Sequence, residues 1–204
     1  MMQAFIFDVD GTILDTEKMY MLSLLHTLKQ RGYDFTYDDV YKTFGLPSYE
    51  ALEFLNIPNP GEVQRDWQSH YHDFWDEVSV FDGLKSTLSQ LKQQHTMGLV
   101  TSNTAEEYAN HSNAFNIDQY FDTFVFAGDT ERMKPYPDPI EKAMHKLEVT
   151  PEESIYIGDS VHDMQAAHRA KAKFGLAHWG VKDTSLFGEA DYIFDQPQDI
   201  LELS

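Results

Sequence analysis

Cysteine is absent from the 204 residues, which removes disulfide scaffolds, thiolate nucleophiles and Cys-type zinc sites from consideration. Redox chemistry therefore leaves the compartment open, and a cytoplasmic setting is compatible. Basic residues are scarce: 15 Lys and Arg stand against 34 Asp and Glu, a formal net charge of -19. Phosphate backbones and acidic lipids attract Lys and Arg, so a general nucleic-acid binder and an anionic-membrane binder are both disfavoured. No apolar run approaches the ~18 residues of a membrane-spanning helix. The N-terminal stretch has no basic segment ahead of a long apolar one, because Asp8 and Asp10 interrupt it. A soluble intracellular protein is expected. Internal repeats and low-complexity segments are also missing. What is present is 42% hydrophobic residues, enough at this length to fill the core of one domain or of two small ones.

The stretch around which the rest is organised is Phe5-Ile6-Phe7-Asp8-Val9-Asp10-Gly11-Thr12. A short run of large apolar residues reads as a buried strand, cut off by two acids and a glycine. In a parallel α/β sheet, ligands bind outside the carboxyl ends of the strands, which puts Asp8 and Asp10 in a site. Two like charges this close need a cation or a shared proton, and a hard divalent ion with oxygen ligands is the natural compensator. Taken alone, the stretch fits an ordinary acidic turn as well.

Downstream, Met21, Leu24, Leu25 and Leu28 recur at helical spacing between Thr16, which can cap the start, and Gly32, which can close the end. Thr36 with Asp39 suggests a second helix start, carrying Val40, Tyr41 and Phe44 and ending at Gly45. Ser48 is expected to cap a third helix through Leu55. Pro58-Asn59-Pro60-Gly61 reads as a turn, and Val63, Trp67, Tyr71, Phe74 and Trp75 form an aromatic stripe at helical spacing. From Thr16 to about Val80 no strand is expected. Beyond Phe81 helices alternate with short apolar strands at 97–100, 123–127, 154–157, 173–176 and 192–194. The intervening helices carry Leu84, Leu88 and Leu91, then residues 105–115, then Ile140, Ala143, Met144 and Leu147, then residues 161–171. Such alternation implies βαβ units and a parallel sheet. The fold class is α/β, with the helical block inserted after the first strand.

Three further strand ends carry polar groups. One ends in Thr101-Ser102-Asn103, donors suited to phosphate oxygens. Lys134 follows the strand ending at Ala127, and Gly158-Asp159-Ser160-Val161-His162-Asp163 closes another. Each alone is commonplace, but together they gather acids, a hydroxyl and a cation on one side of one sheet.

The series Asp8-Val9-Asp10-Gly11-Thr12, Thr101, Lys134 and Gly158-Asp159 through Asp163 resembles the four motifs of the haloacid dehalogenase superfamily, over nearly the whole chain. Met133 to Pro139 and Ala177-His178-Trp179-Gly180 resemble its phosphoglycolate phosphatase-like branch. The resemblance implies a Rossmannoid three-layer core from residues 1–14 and 81–204 and a helical C1 cap over 15–80. Phe44 to Pro47 resemble the cap's substrate-facing loop, and cap closure would exclude water. It implies Asp8 as nucleophile and Asp10 as general acid and base. Thr101 and Lys134 would act on the phosphoryl group, with Ser102 and Asn103 as further phosphate-binding positions or as residues that shape the turn. Asp8, Asp10, Asp159 and Asp163 form the metal set, with Asp10 contributing its carbonyl and Asp163 orienting metal-bound water or Lys134 around Mg2+. The partner implied is a small phosphorylated metabolite such as phosphoglycolate, pyrophosphate or a sugar phosphate. Monomer and homodimer both fit.

Rival readings differ in particular residues. A β-phosphoglucomutase-like phosphotransferase shares the fold and Asp15-Thr16, but typically has Val or Ile where Thr12 stands and His where Tyr20 stands. A dehalogenase lacks the second acid, which this chain keeps as Asp10. A non-catalytic phosphometabolite-binding regulator stays open, although all four motifs are chemically intact. Trp67, Tyr71, Phe74 and Trp75 read as core of the helical block, and His70, His72 and His111 as surface or packing residues. His162 has a position compatible with a site, and Pro47, Ser48 and Tyr49 reach a substrate only by the resemblance.

Overall fold

The computed structural model describes residues 2–204; the side chain of His111, and so the role expected for it, lies outside the described residues. In chain order the elements begin with β1 (Ala4–Phe7), β2 (Leu14–Asp15), α1 (Glu17–Gln30), α2 (Tyr37–Tyr41), α3 (Ser48–Phe54), α4 (Pro60–Ser69) and β3 (Ser79–Val80). They continue with α5 (Leu84–Leu91), β4 (Thr96–Val100), α6 (Ala105–Phe115), β5 (Thr123–Val125) and α7 (Asp138–Leu147). The last are β6 (Ser154–Gly158), α8 (Val161–Arg169), β7 (Lys173–Ala177) and β8 (Tyr192–Phe194). The chain divides into two compact units, one of residues up to Leu14 with Val80–Ser204, the other of Asp15–Ser79.

The first unit is built on a six-stranded sheet in the order β5-β4-β1-β6-β7-β8, every neighbouring pair parallel. This is the Rossmannoid α/β class expected. All four residues of β1 are fully buried, which is why it reads as an unbroken apolar run: in a parallel sheet covered on both faces no position faces water. Phe7 lies opposite Leu99 on one side and Ile157 on the other, so β1, β4 and β6 end nearly level. One core cluster joins Ile6, Val100 and Tyr156 to Ile140, Met144, Met164 and Phe174. The helix starts follow local chemistry: Thr104 with Glu107, and Ser160 with Asp163, each form a reciprocal capping box.

The second unit has its own core, in which Met21, Leu24, Leu28, Val40, Leu52, Val63 and Trp67 are buried together. Several local expectations are corrected. Thr16 stands at the cap position of α1 but makes no capping bond. Helix α2 stops at Tyr41, before Phe44. Pro47, extended at ψ 143°, occupies the cap position of α3, so Ser48 is the first helical residue instead. Pro60 and Gly61 open α4 rather than close a turn; proline at the first helical position has no N–H to satisfy and a preset φ. The aromatic stripe breaks where α4 ends, and Tyr71–Glu77 is 3-10 helix with a non-helical Phe74, leaving Phe74 and Trp75 half-buried. A two-residue strand, β3, pairs with β2 in a separate ribbon where no strand was expected; so short a segment has no periodicity to read. In the sheet unit β5 stops at Val125, short of Ala127, and α8 at Arg169, short of Lys171.

Candidate active site

The chain leaving β1 re-enters the sheet as β4 on one side, and the chain leaving β6 re-enters as β7 on the other. The crevice outside the carboxyl ends of β1 and β6 is therefore the switch point at which open α/β sheets bind ligands. Asp8 and Asp159 are the residues next after those two strands. The Asp8 N–H donates to the Ile157 carbonyl at 2.9 Å, extending the ladder one residue beyond β1 and fixing the start of the Asp8 turn.

Lys134 is the hub. Its Nζ donates to Asp8 Oδ1 at 2.9 Å, to Asp163 Oδ1 at 2.7 Å and to the Tyr156 hydroxyl at 3.1 Å. The lysine side chain is 5% exposed, Asp8 10% and Asp163 0%, so this is a desolvated ion-pair network. The other Asp163 oxygen accepts from the Ser160 N–H at 3.0 Å and hydroxyl at 2.6 Å, so a helix-capping residue also aims the lysine. Asp159 accepts from the Thr12 hydroxyl at 3.2 Å.

Among the glycines that space requires, two bear on the Asp8–Thr12 turn. Gly11 has φ +74°, and a Cβ there would lie 2.1 Å from Asp159 Oδ2; only glycine lets the turn after Asp10 pass this close to the second acid. A Cβ on Gly180 would lie 1.8 Å from the Gly11 carbonyl oxygen, and the neighbouring Trp179 Nε1 donates to the Thr12 carbonyl at 2.9 Å. The loop after β7 thus clamps the Asp8–Thr12 turn from outside.

Thr101, fully buried, follows β4 and its Oγ1 accepts from the Asn103 N–H at 3.1 Å. Asn103 Nδ2 donates to Asp10 Oδ2 at 2.9 Å, which joins the β4 loop to the second acid of the first. Asp8, Lys134 and Asp163 thus meet directly, an Asp159 oxygen lies within 4.8 Å of oxygens of Asp8 and Asp163, and Asp10 and Asn103 meet each other. Ser102 is exposed and His162 half-buried in the first turn of α8. Pro47, Ser48 and Tyr49 belong to the other unit. Of the remaining histidines, His70 pairs with Asp73 at 2.7 Å and packs edge-on against His26, and His72 lies against Trp75. Tyr156 carried no signal of function in the sequence, because a tyrosine inside Ile155-Tyr156-Ile157 reads as one more apolar strand residue.

Burial pushes the Asp8 carboxyl from 3.8 up to about 7 against the lowering influence of Lys134, with Asp163 and Asp10 adding to the rise. Burial likewise raises Asp159 well above the usual carboxylate range, helped by Asp163 and Asp8. Burial opposes the charge on Lys134, yet Asp163 and Asp8 outweigh it and hold the ammonium well above its ordinary value. The Tyr156 phenol, also raised chiefly by burial, stays neutral. One oxygen from each of Asp8, Asp159 and Asp163 lies within 4.8 Å of the others. Once ionised, three carboxylates against one ammonium would leave two negative charges, which one divalent cation balances. All-oxygen donors of this kind suit a hard ion such as Mg2+, so the residues present fit that group. The Asp10 carboxylate is not among those three; it faces Asn103.

A family model of haloacid dehalogenase-like hydrolases matches residues 5–177. A pyrophosphatase PpaX from Bacillus velezensis is 30% identical, with 98% of this chain and 95% of the relative covered. Its namesake from Bacillus mycoides is 28% identical over 97% of this chain and 94% of its own. Among solved structures, a protein assigned as a phosphoglycolate phosphatase from Lactobacillus plantarum superposes with a TM-score of 0.92 at 30% identity, covering 100% of both chains. A haloacid dehalogenase-like family hydrolase from Streptococcus pneumoniae gives 0.88 at 21% identity over 99% of this chain and 98% of its own, a likeness of fold.

Proposed function

The chain belongs to the haloacid dehalogenase-like hydrolase family, and on that premise we propose that it is a Mg2+-dependent phosphatase of a small phosphorylated metabolite. One observation carries the reading. A buried carboxylate at the end of the central strand, Asp8, is paired with the ammonium of Lys134 and set beside two further carboxylates that match a divalent cation.

In this mechanism an Asp8 oxygen attacks phosphorus while the bond to the leaving oxygen breaks, giving an aspartyl-phosphate. Asp10, protonated at that stage, gives its proton to the leaving oxygen. A water then attacks the same phosphorus and gives a proton to Asp10 as the bond between the Asp8 oxygen and phosphorus breaks, releasing Asp8 and inorganic phosphate. Asn103, donating to one Asp10 oxygen, orients the carboxyl for this transfer. Lys134 favours the ionised form of Asp8 and, with Thr101, offsets charge on the transferring phosphoryl group, which is most of what this chemistry requires. Asp8, the Asp10 carbonyl and Asp159 would hold Mg2+, with Asp163 beside them; when bound, the ion supplies neutralisation of the phosphoryl oxygens. That local field is how so acidic a chain accepts an anionic substrate.

The named activities of the relatives support pyrophosphate and 2-phosphoglycolate as the first compounds to try. A cytoplasmic setting without nucleic-acid or membrane partners belongs to the same reading; no described helix is long and apolar enough to cross a membrane. The test is phosphate release from 2-phosphoglycolate, pyrophosphate, several sugar phosphates and 4-nitrophenyl phosphate, with Mg2+ or chelator, beside Asp8→Asn. Chelator-sensitive turnover that Asp8→Asn abolishes is expected. A folded, Mg2+-supplied protein that releases phosphate from none of them overturns the reading and leaves a mutase or a binding protein.

A further inference from the structure

We propose that Tyr156 is a positioning residue for Lys134: its hydroxyl and Asp163 hold two of the three ammonium N–H bonds, so that the third swings from Asp8 to the phosphoryl group. The inference rests on the reading of Lys134 as the cation that meets the transferring phosphoryl.

The geometry is a tripod. The ammonium has three N–H donors and three acceptors: Asp8 Oδ1 at 2.9 Å, Asp163 Oδ1 at 2.7 Å and the Tyr156 oxygen at 3.1 Å. Two of these acceptors are themselves fixed. Asp163 is locked by the capping box with Ser160. The fully buried Tyr156 donates its single proton to the Val100 carbonyl at 3.2 Å, leaving a lone pair for the lysine. Asp163 Oδ1, at 3.4 Å, is the longer alternative and already accepts from Lys134.

Val100 is the last residue of β4, two strands from β6, and Thr101 follows it. The phenol therefore ties the cation to the strand end that carries the phosphate-binding hydroxyl. Asp8 is the one acceptor whose bond must change, because it becomes the nucleophile. A flexible four-carbon stem needs such fixed acceptors to place a point charge reproducibly. The ammonium also lies 5.6 Å from the tyrosine ring centroid, a contact that phenylalanine would keep, so Tyr156→Phe deletes the hydroxyl alone.

The experiment compares wild type, Tyr156→Phe and Tyr156→Met by 1H–15N correlation of lysine Nζ and by steady-state turnover of 4-nitrophenyl phosphate and pyrophosphate. Lys134→Met assigns the signal. Wild type should show a slowly exchanging Lys134 Nζ resonance. In Tyr156→Phe its hydrogen exchange should quicken at least about ten-fold, and kcat should fall about 10- to 100-fold while KM moves by less than about three-fold, the loss of one hydrogen bond to a charged group. Unchanged Nζ exchange, or unchanged kcat in a folded variant, overturns the proposal. Failure of both variants to fold overturns it too, since the hydroxyl would then be holding the core. If wild type itself turns nothing over, the phosphatase reading fails, while the exchange comparison still decides the tripod.

Discussion

Replacing Lys134 by methionine removes the ammonium and keeps an unbranched side chain. In the metal-free protein it strips the cation that sits 2.9 Å from Asp8 and 2.7 Å from Asp163, in a place where the lysine is 5% exposed. Deleting one partner of a buried ion pair costs about 3–5 kcal/mol. A proton can stand in for the lost ammonium, which limits that cost and makes it depend on pH. Asp8 titrates at about 7 when folded against 3.8 as an ordinary carboxyl, raised by burial and held down chiefly by Lys134. A carboxyl raised in the folded state weakens folding as pH climbs from 3.8 towards its folded value and not beyond. In wild type this loss is nearly complete by about pH 8. In Lys134→Met the folded value moves higher, so the loss continues to accumulate. The stability gap between the two proteins should widen by about 1 kcal/mol between pH 7 and pH 8. Urea unfolding in EDTA at pH 6, 7 and 8 measures it. A gap that stays flat or narrows over that range refutes the electrostatic account of the site. With Mg2+ present, phosphate release by the variant should fall about 10²–10³-fold, the loss expected for one charge-stabilising donor.

Mg2+ should raise the unfolding temperature of wild type, more at pH 8 than at pH 6, because ligand carboxylates must give up protons to bind metal. Asp159→Asn should abolish most of that rise; a thermal melt unmoved by millimolar Mg2+ would count against the metal site. Gly180→Ala should cost about 1–3 kcal/mol, since its Cβ would lie 1.8 Å from the Gly11 carbonyl, while Gly188→Ala, with open space around it, serves as the control in the same urea titration. Asn103→Ala frees the Asp10 carboxylate from its 2.9 Å donor and should lower kcat about ten-fold for 2-phosphoglycolate, whose leaving oxygen needs a proton. For 4-nitrophenyl phosphate, whose leaving group does not, the loss should be clearly smaller; equal losses would separate Asn103 from proton transfer.

The sheet was legible because buried parallel strands announce themselves as apolar runs. Phe5 to Phe7, Ile155 to Ile157 and Tyr192 to Phe194 fall inside β1, β6 and β8, and residues 105–115 coincide with α6. Side-chain capping was legible where the chemistry is self-contained, as at Thr36 with Asp39. It failed where a neighbour altered the backbone. Pro47 moved the start of α3, and Pro60, read as a turn residue, was a helix start. The break at Phe74 interrupts a run whose spacing alone continues the helix of Trp67, and no local pattern marks β3, which exists only by its pairing with β2.

For the candidate site, spacing along the chain marked which strand ends carry polar groups but not how the side chains partition there. Asp8, Asp159 and Asp163 converge because β1 and β6 are adjacent, and Lys134 reaches them from the segment after β5, two strands from β1; alternation of helices with apolar runs implied one parallel sheet but not this strand order. Asn103, grouped by residue type with the phosphate binders or as a residue that shapes the turn, donates to Asp10. That pairing joins positions 93 residues apart, beyond the reach of any local rule. Tyr156 was invisible for the opposite reason. Its ring obeys the strand's apolar pattern, and only the hydroxyl at its tip departs from it, meeting an ammonium 22 residues upstream and a carbonyl 56 residues upstream. A polar atom borne on an apolar ring is chosen by tertiary geometry, and in a strand buried on both faces such an atom must find a partner or destabilise the core. Buried tyrosines within strand runs that end in acidic turns are therefore where a sequence reading of this kind of site gains most from asking what the hydroxyl can reach.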